Sequence, residues 1–389
     1  MIPYGRQDID DSDIDAVVET LKSDWLTQGP RVPEFEKALA SYCGAQFGVA
    51  VNSATSALHI ACLALGVGAD DIVWTSPNSF VASANCALYC GASIDFVDID
   101  INTGNMCIDS LTNKLAKAHK NNCLPKVIIP VHFAGQSCDM AKMAQLAELY
   151  QFKIIEDASH AVGAKYLDST IGSCKYSDIC VFSFHPVKII TTMEGGMAMT
   201  NQSALANKMR LLRSHGVTND PNVMRNKAHG PWYYKQVELG FNYRMSDIEA
   251  ALGTSQLARL DNFVAKRNSV AARYNERFEE SKAITPLAVN EKAYCSFHLY
   301  VVRIAELTQQ QQSKIVETLR DKDIFAHLHY IPIHTQPYYC DLGFKTGDFP
   351  NAERYYSEAV TLPLFPDLTT SQIDFIADTL ISLVNSLKK

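Results

Sequence analysis

Short apolar runs alternate with amphipathic segments through the first 250 residues of the chain. The β-branched and aromatic runs predict strands at 47–51, 72–75, 93–97, 126–131, 153–155, 179–184 and 197–200. Apolar residues at helical spacing predict helices at 54–65, 81–88 and 140–150. Because strands alternate with helices, the pattern indicates an α/β fold built on a mostly parallel sheet.

The pattern changes near residue 250. A long helical stretch at 248–280 comes first, and a strand at 299–304 and helices at 309–321 and 370–387 follow it. We find no internal repeat and no low-complexity linker. The pattern predicts a large domain over residues 1–250 and a smaller C-terminal α/β domain over residues 251–389.

Composition and charge narrow the class of protein. The 389 residues carry a formal net charge of −7, which gives no general attraction to nucleic acid or to anionic membranes. Neither a signal-peptide core nor an apolar run of about 20 residues is present. The 11 cysteines form no Cys-x-x-Cys pair, as is common for thiols in a reducing compartment. We therefore expect a cytoplasmic protein with no nucleic-acid or membrane partner.

Two candidate motifs lie where a strand ends, the edge at which a parallel sheet binds ligands. Asn52–Ser56 stands at a strand-to-helix turn, where free N–H groups and hydroxyls can bind an anion or simply cap the helix. Ser183–Lys188 carries one lysine. A desolvated lysine amine can form a Schiff base, whereas a solvated one is only a surface charge.

Two further motifs carry charged or small residues. Asp157 stands at the tip of a strand with His160 three residues later, and its carboxylate can pair with a cationic ring nitrogen or cap the next turn. Glu194–Gly196 allows close backbone approach. Asn242 and Arg244 can bind anions or form a surface polar pair. Each motif alone is weak, but the order and spacing of the set are specific.

The set resembles the DegT/DnrJ/EryC1/StrS family of sugar aminotransferases. The matching segments are NSATSAL (52–58), EDASH (156–160), SFHPVK (183–188), EGG (194–196) and NYRM (242–245). The resemblance covers nearly the whole chain, from Tyr4 to the last helix. It implies the fold of type I pyridoxal-phosphate (PLP) enzymes, with a large domain on a mainly parallel mixed sheet, a small C-terminal α/β domain, and a homodimer with shared active sites.

The resemblance also implies roles for single residues. Lys188 would hold PLP as a Schiff base and shuttle a proton, Asp157 would keep the pyridine nitrogen protonated, and His160 would lie near the phenolic oxygen. Phe80 would stack on the ring, and Asn242 would reach the phosphate of the partner subunit's cofactor. The implied cofactor-binding residues are Ala54, Thr55, Ser56, Phe80, Asp157, His160, Ser183, Lys188, Asn242 and Arg244.

Within the family the chain resembles the branch that aminates C4 of a UDP-linked 4-keto-6-deoxy-N-acetylamino sugar in pseudaminic acid biosynthesis, with glutamate as the implied donor. The implied substrate contacts are Tyr4, Asp24, Trp25, Leu26, Thr27, His327, Leu328, His329 and Tyr330. Two segments, 334–336 and 362–366, look more like the branch that acts on UDP-4-keto-arabinose. A dTDP-4-keto-6-deoxyhexose is a third possible acceptor.

Three other interpretations carry less weight. A PLP-dependent sugar dehydratase of the same fold has histidine in place of the Schiff-base lysine, so Lys188 argues against it. A regulatory protein without catalysis would not need Lys188, Asp157 and Ser183 together. His327, His329 and His334 could share a strand face, but the sequence supplies no Cys pair or well-spaced carboxylate beside them, so we expect no metal site.

Overall fold

The computed structural model describes residues 1–224 and 228–387. The strands are β1 (Phe47–Val51), β2 (Ile72–Thr75), β3 (Ser93–Phe96), β4 (Val127–Ile129), β5 (Lys153–Asp157), β6 (Lys165–Tyr166), β7 (Ser169–Thr170), β8 (Ile179–Ser183), β9 (Gly196–Thr200), β10 (Val217–Thr218), β11 (Lys235–Gln236), β12 (Ile284–Pro286), β13 (Ala293–Tyr294), β14 (Tyr300–Ile304) and β15 (Ala359–Leu362). The helices are α1 (Asp11–Leu21), α2 (Arg31–Cys43), α3 (Ala54–Ala64), α4 (Ala82–Tyr89), α5 (Ile108–Lys120), α6 (Met140–Tyr150), α7 (Ser203–Arg213), α8 (Asp247–Ala258), α9 (Leu260–Phe278), α10 (Gln309–Asp321), α11 (Pro337–Asp341), α12 (Pro350–Glu358) and α13 (Thr370–Leu387), with 3₁₀ turns at Phe133–Gly135 and Ile333–Thr335.

The central sheet has the strand order β1-β9-β8-β5-β4-β2-β3. Strands β8, β5, β4, β2 and β3 pair in parallel, and β9 runs antiparallel to both of its neighbours, β1 and β8. The predicted α/β fold with a mainly parallel mixed sheet is therefore confirmed.

Both faces of this sheet are covered, which explains why its strands are apolar without alternation. In β8, Cys180 and Phe182 join one buried cluster, which includes side chains of α2, α5 and α6. Ile179 and Val181 join another cluster, with side chains of α3, α4 and α7. Successive residues of a strand point to opposite faces, so each apolar run supplies both layers of the core.

A smaller antiparallel sheet, β12-β14-β15, lies in the C-terminal part of the chain. Its core includes side chains of α9, α10 and α13, and also Ile2 from the start of the chain. The first residues are fixed there by backbone hydrogen bonds: Ile2 donates to Asp323 (2.7 Å) and accepts from Phe325 (2.9 Å), and the carbonyl of Tyr4 accepts from Leu364 (3.0 Å).

The helical stretch predicted at 248–280 is present, and the structure divides it into α8 and α9. The break is at Arg259, whose backbone has φ −102° and ψ 0°. The Arg259 guanidinium forms ion pairs with Asp8, Asp10 and Asp13 near the start of the chain. The predicted domain boundary at residue 250 lies inside α8, and the division into two domains at that point stays a proposal.

Among the described residues, no helix combines the length and the apolar character that crossing a membrane requires.

Candidate active site

A cavity of about 320 Å³ opens beyond the carboxyl ends of the parallel strands. This volume is within the range of small-molecule sites. The cavity is lined by Tyr4, Ser53, Ala54, Thr55, Leu58, Ser79, Phe80, Ala82, Ser83, Val131, Asp157, Ser159, His160, Ser183, His185, Val187, Lys188, Glu194, Gly195, His329 and Tyr330. Residues from distant parts of the chain thus meet at the edge where the sequence placed the candidate chemistry.

Asp157 ends β5 and is only 4% exposed. One carboxylate oxygen accepts a hydrogen bond from the Ser83 hydroxyl at 2.6 Å, and the other accepts from the Ser159 hydroxyl at 2.5 Å and its N–H at 3.1 Å. These bonds fix the carboxylate without neutralising it. A buried carboxylate of this kind is ready to pair with a cationic group in the cavity.

Lys188 enters the same cavity from the loop after β8, where its N–H donates to the carbonyl of His185 (2.8 Å). Desolvation lowers the pKa of the Lys188 amine to about 8, although the Asp157 carboxylate acts in the opposite direction. A larger share of this amine is therefore neutral near neutral pH than in a solvated lysine. A neutral amine is the form that attacks a carbonyl carbon, so the geometry favours a nucleophilic lysine over a surface charge.

An anion site lies at the start of α3. Ser53 caps the helix by accepting from the N–H of Ser56 at 3.1 Å, while the N–H groups of Ala54 and Thr55 precede the first intrahelical bond. Gly196 packs so closely on this turn that a Cβ there would lie 2.5 Å from the Ala54 nitrogen. Ser183, opposite Gly196 in the sheet, lines the same pocket.

Ser56 does not line the cavity, unlike its neighbour Thr55. Its hydroxyl donates to the Asn52 side chain at 2.7 Å, and its N–H is used by the cap. The structure therefore gives Ser56 a capping contact, and the prediction that it touches a cofactor stays a prediction.

His160 and Tyr330 form one aromatic wall of the cavity. The His160 Nε2 lies 3.1 Å from the Tyr330 hydroxyl, and the two rings stack with an interplanar angle of 27°. Burial lowers the pKa of His160 well below its usual value, and the charge of Lys188 acts in the same direction, so the imidazole is neutral. Phe80 also lines the cavity but is 60% exposed, which leaves its ring face open for stacking.

The predicted substrate contacts divide into two groups. Tyr4, His329 and Tyr330 line the cavity, and the Tyr4 and His329 rings lie 5.4 Å apart. Desolvation, with help from His327 and Lys188, lowers the pKa of His329 to about 3. The others do not line the cavity: Asp24, Trp25, Leu26, Thr27, His327 and Leu328. His327 nevertheless lies beside the site, because its ring centroid is 5.3 Å from that of Tyr4 and 4.8 Å from that of His329.

Asn242 and Arg244 also lie outside the cavity lining. Asn242 is exposed, and its carbonyl is within 3.5 Å of the Asn52 side-chain nitrogen beside the anion site. Backbone bonds from Asn52 to Tyr243 and between the Ser214 and Asn242 segments hold this loop next to the start of α3.

Of the three histidines considered for a metal site, His327 and His329 are neighbours, with ring centroids 4.8 Å apart, and His334 has a partner of its own. His334 pairs with Glu353 at 2.9 Å, whereas His329 contacts the Thr361 hydroxyl at 3.0 Å. Among residues 1–224 and 228–387, no group of three His, Cys, Asp or Glu side chains could hold a metal ion.

Sequence reasoning missed several residues of the site. Ser83 is one, because a serine inside an apolar helix carries no signal that it faces a carboxylate 74 positions later. Ser159 belongs to the EDASH segment and could have been assigned from its place two residues after Asp157. His298 was also missed, although its Nε2 lies 3.5 Å from the Lys188 Nζ.

Comparison with known proteins gives a consistent result. The chain is 38% identical to the UDP-4-amino-4,6-dideoxy-N-acetyl-beta-L-altrosamine transaminase of Campylobacter jejuni over 389 residues, which cover 100% of this chain and 99% of that protein. The structure of Helicobacter pylori PseC, an aminotransferase involved in the biosynthesis of pseudoaminic acid, matches with a TM-score of 0.90 and 32% identity over 99% of both chains.

A Streptococcus pneumoniae protein named as a sugar aminotransferase and solved in its PLP form has a TM-score of 0.90, with 30% identity and 99% of both chains covered. The model of the DegT/DnrJ/EryC1/StrS aminotransferase family matches residues 7–381. The family, the fold and the enzyme class predicted from the motifs are confirmed, and the chain belongs to the DegT/DnrJ/EryC1/StrS aminotransferase family.

Proposed function

We propose that this chain is a PLP-dependent aminotransferase that moves an amino group from glutamate to C4 of a UDP-linked 4-keto-6-deoxy-N-acetylamino sugar, as in pseudaminic acid biosynthesis. One observation carries the catalytic part of the proposal. A partly desolvated lysine, a buried carboxylate and a helix N-terminus meet in one cavity. The acceptor sugar is supported by the names of the relatives at 38% and 32% identity.

The residues present fit PLP at each of its polar groups. The start of α3, with the Ser183 and Thr55 hydroxyls, suits the phosphate, because a helix N-terminus attracts anions. The Asp157 carboxylate suits a protonated pyridine nitrogen, and the Lys188 amine suits the aldehyde. When bound, PLP supplies an electrophilic aldehyde carbon and a ring that accepts electrons from the carbon that exchanges its amino group.

The chain's own groups then have separate tasks. Lys188 Nζ would hold the aldehyde carbon of the cofactor, and as a free amine it would act as the base that moves a proton. Asp157, whose carboxylate is held in place by Ser83 and Ser159, would keep a proton on the pyridine nitrogen because its negative charge favours the cationic ring. His160, neutral and buried, would face the cofactor without adding charge.

The sugar and the partner subunit complete the site in this proposal. Tyr4, His329 and Tyr330 are the best candidates for sugar contacts because they line the cavity. Asn242, which is exposed, and Arg244, which is half-buried, lie on a loop outside it. A homodimer with shared sites would let this loop reach the phosphate of the partner subunit's cofactor, and each site would then use residues from two chains.

The first experiment locates the covalent link. Protein loaded with PLP is reduced with borohydride and digested, and mass spectrometry should find the label on Lys188. Lys188→Ala should lose both the label and the visible absorbance. Lys117→Ala, in the exposed last turn of α5, is the matched control and should keep both. Label on any other lysine contradicts the assignment of Lys188.

The second experiment identifies the reaction and the acceptor. Glutamate added alone should bleach the visible absorbance, which a regulatory protein without catalysis would not show. Mass spectrometry after offering UDP- and dTDP-linked 4-keto sugars should find the aminated N-acetylamino-6-deoxy sugar as the preferred product. A kinetic preference for UDP-4-keto-arabinose would replace the acceptor but keep the reaction, whereas loss of a hydroxyl without amine transfer would indicate a dehydratase.

A further inference from the structure

His298 stands directly behind the lysine of the site. Its Nε2 lies 3.5 Å from the Lys188 Nζ, its side chain is 4% exposed, and its ring centroid is 4.4 Å from that of His160. It does not line the cavity. A molecule bound in the cavity would therefore meet Lys188 before it met His298.

The backbone around His298 is held by an unusual set of contacts. Arg267 is buried, and its guanidinium donates to the carbonyls of Phe297 (3.2 Å), His298 (3.4 Å) and Leu364 (3.3 Å). Among the described residues no carboxylate forms an ion pair with Arg267. Its hydrogen bonds therefore go to backbone oxygens, and they fix the turn that presents His298 to Lys188.

The same turn is locked against the large sheet from the other side. Ser296 donates through its hydroxyl to the carbonyl of His160 at 3.3 Å, and its N–H donates to Gly135 at 3.0 Å. Phe297 has a φ of +47°, and Gly135, with φ +102°, faces it so closely that a Cβ would lie 2.9 Å from the N–H groups of residues 297 and 298. Backbone held in this left-handed region is costly and persists only when surrounding contacts fix it.

Burial, with the charges around it, decides the protonation of His298. Desolvation lowers the pKa of His298 well below its usual value, and Lys188, His160, Arg267 and His329 act in the same direction. The imidazole is therefore neutral. A neutral ring nitrogen with a free lone pair accepts a hydrogen bond from an ammonium or amine N–H.

We propose that His298 is a positioning residue for Lys188: its Nε2 accepts a hydrogen bond from Nζ and keeps the amine aimed at the cavity whenever Lys188 is not covalently bound. The inference rests on the proposed function, in which Lys188 must be released and then move a proton. A free lysine side chain has about four rotatable bonds, so a fixed acceptor reduces the conformations that the amine must search.

Two substitutions of His298 distinguish the position of the acceptor atom from the simple presence of a polar side chain. His298→Gln can place an acceptor near the Nε2 position, whereas His298→Asn is one methylene shorter and cannot. Tyr300 lies two residues after His298, and Tyr300→Phe removes its partly buried hydrogen bond to Asn275; this variant is the control for general damage to the segment. All three variants are first compared with the parent protein by circular dichroism and thermal unfolding.

The first readout is the rate at which saturating glutamate bleaches the PLP-loaded protein in a stopped-flow instrument. We expect His298→Asn to be slower by about 10- to 100-fold, because loose placement of a reacting group costs rates of this order. The half-saturating glutamate concentration should stay within about twofold. His298→Gln should recover most of the rate, and Tyr300→Phe should match the parent protein.

The second readout needs neither cofactor nor turnover. Cofactor-free protein is trace-labelled with acetic anhydride across pH 6.5–10, and the pH midpoint for labelling of Lys188 is read by peptide mass spectrometry. Loss of the acceptor removes a partner of the ammonium form, so the midpoint should fall in His298→Asn and stay near the parent value in His298→Gln.

Equal rates in the Asn and Gln variants, whether fast or slow, would overturn the proposal, and so would an unchanged labelling midpoint in His298→Asn. Failure of the proposed function looks different, because borohydride would then label another lysine or glutamate would not bleach the parent protein. The labelling midpoints still test the His298–Lys188 contact in that case.

Discussion

Gly196 offers a direct test of the anion site at the start of α3. In Gly196→Ala the new Cβ would lie 2.5 Å from the Ala54 nitrogen and 2.6 Å from the Ser53 carbonyl carbon, whereas ordinary contacts begin at 3.4 Å. The first turn of α3 must therefore move away from β9 by about 0.9 Å, the difference between 3.4 and 2.5 Å. Overpacking of this kind costs about 1–3 kcal/mol of folding free energy, which a domain of ordinary stability tolerates.

The larger effect should fall on cofactor binding. A shift of this size breaks about one charge-assisted hydrogen bond from an N–H of the first turn to the phosphate, worth about 1.5–3 kcal/mol. The Kd for PLP should rise about 10- to 150-fold. Pyridoxal has no phosphate and does not use these N–H groups, so its Kd should change by less than about threefold.

Both affinities can be measured by absorbance titration of cofactor-free protein. Gly68→Ala is the matched control, because a Cβ there meets nothing within 4 Å, and it should leave both Kd values unchanged. The reasoning is refuted if Gly196→Ala weakens pyridoxal and PLP by the same factor, since the damage would then not be specific to the phosphate. An unchanged Kd for PLP in a folded variant would refute it as well.

Three further predictions test other parts of the site. Asp157→Asn should keep the unfolding temperature within a few degrees of the parent protein but slow bleaching by glutamate by at least about 100-fold, because a neutral amide does not stabilise a protonated ring nitrogen. Near-normal single-turnover rates would reject this role of Asp157. Lys188→Ala and Asn242→Trp should each be inactive alone, but unfolding, mixing and refolding them together should give about a quarter of all sites the wild-type composition. About half of randomly formed dimers are mixed, and one of the two sites in each mixed dimer carries neither change. No recovery of activity, with dimers and both parental defects verified, would reject shared sites. Burial holds the pKa of His329 at about 3, so below about pH 6.5 the unfolded state binds a proton that the folded state does not, and the free energy of unfolding decreases as pH falls. Between pH 7.5 and pH 5, His329→Gln should therefore lose about 2 kcal/mol less of its free energy of unfolding than the parent protein, as measured by urea unfolding. Equal losses in the two proteins would contradict this.

The sequence predicted elements best where one apolar pattern is bounded by clear end signals. Helices α6, α10 and α13 and strands β1 and β2 have the expected bounds, because their periodicity is strong and turn residues flank them. The division at Arg259 was missed because nothing local forbids a continuous helix there. The break accompanies ion pairs with Asp8, Asp10 and Asp13, about 250 positions earlier in the chain.

The site shows the same distinction between local and distant information. Asp157, Ser183 and Lys188 could be found because each belongs to a short motif at a strand end. His298 could not, since only the folding of the C-terminal part against the large sheet places it beside Lys188. Ser56 was assigned by its motif, but its own contacts are satisfied within the cap. The contact of Asn242 with the cofactor of a partner subunit stays a prediction.

The attachment of the first residues to the C-terminal sheet has a consequence for synthesis on the ribosome. Ile2 finds its hydrogen-bond partners at residues 323 and 325, and Tyr4 finds its partner at residue 364. These contacts span nearly the whole sequence, so loop closure places them late in folding. A nascent chain emerges from its N-terminus, and Ile2 must wait until more than 320 further residues have been made before its partners exist. The segment around Ile2 thus leaves the ribosome well before its partners and is among the last to reach its final position, and with it Tyr4, which lines one side of the cavity.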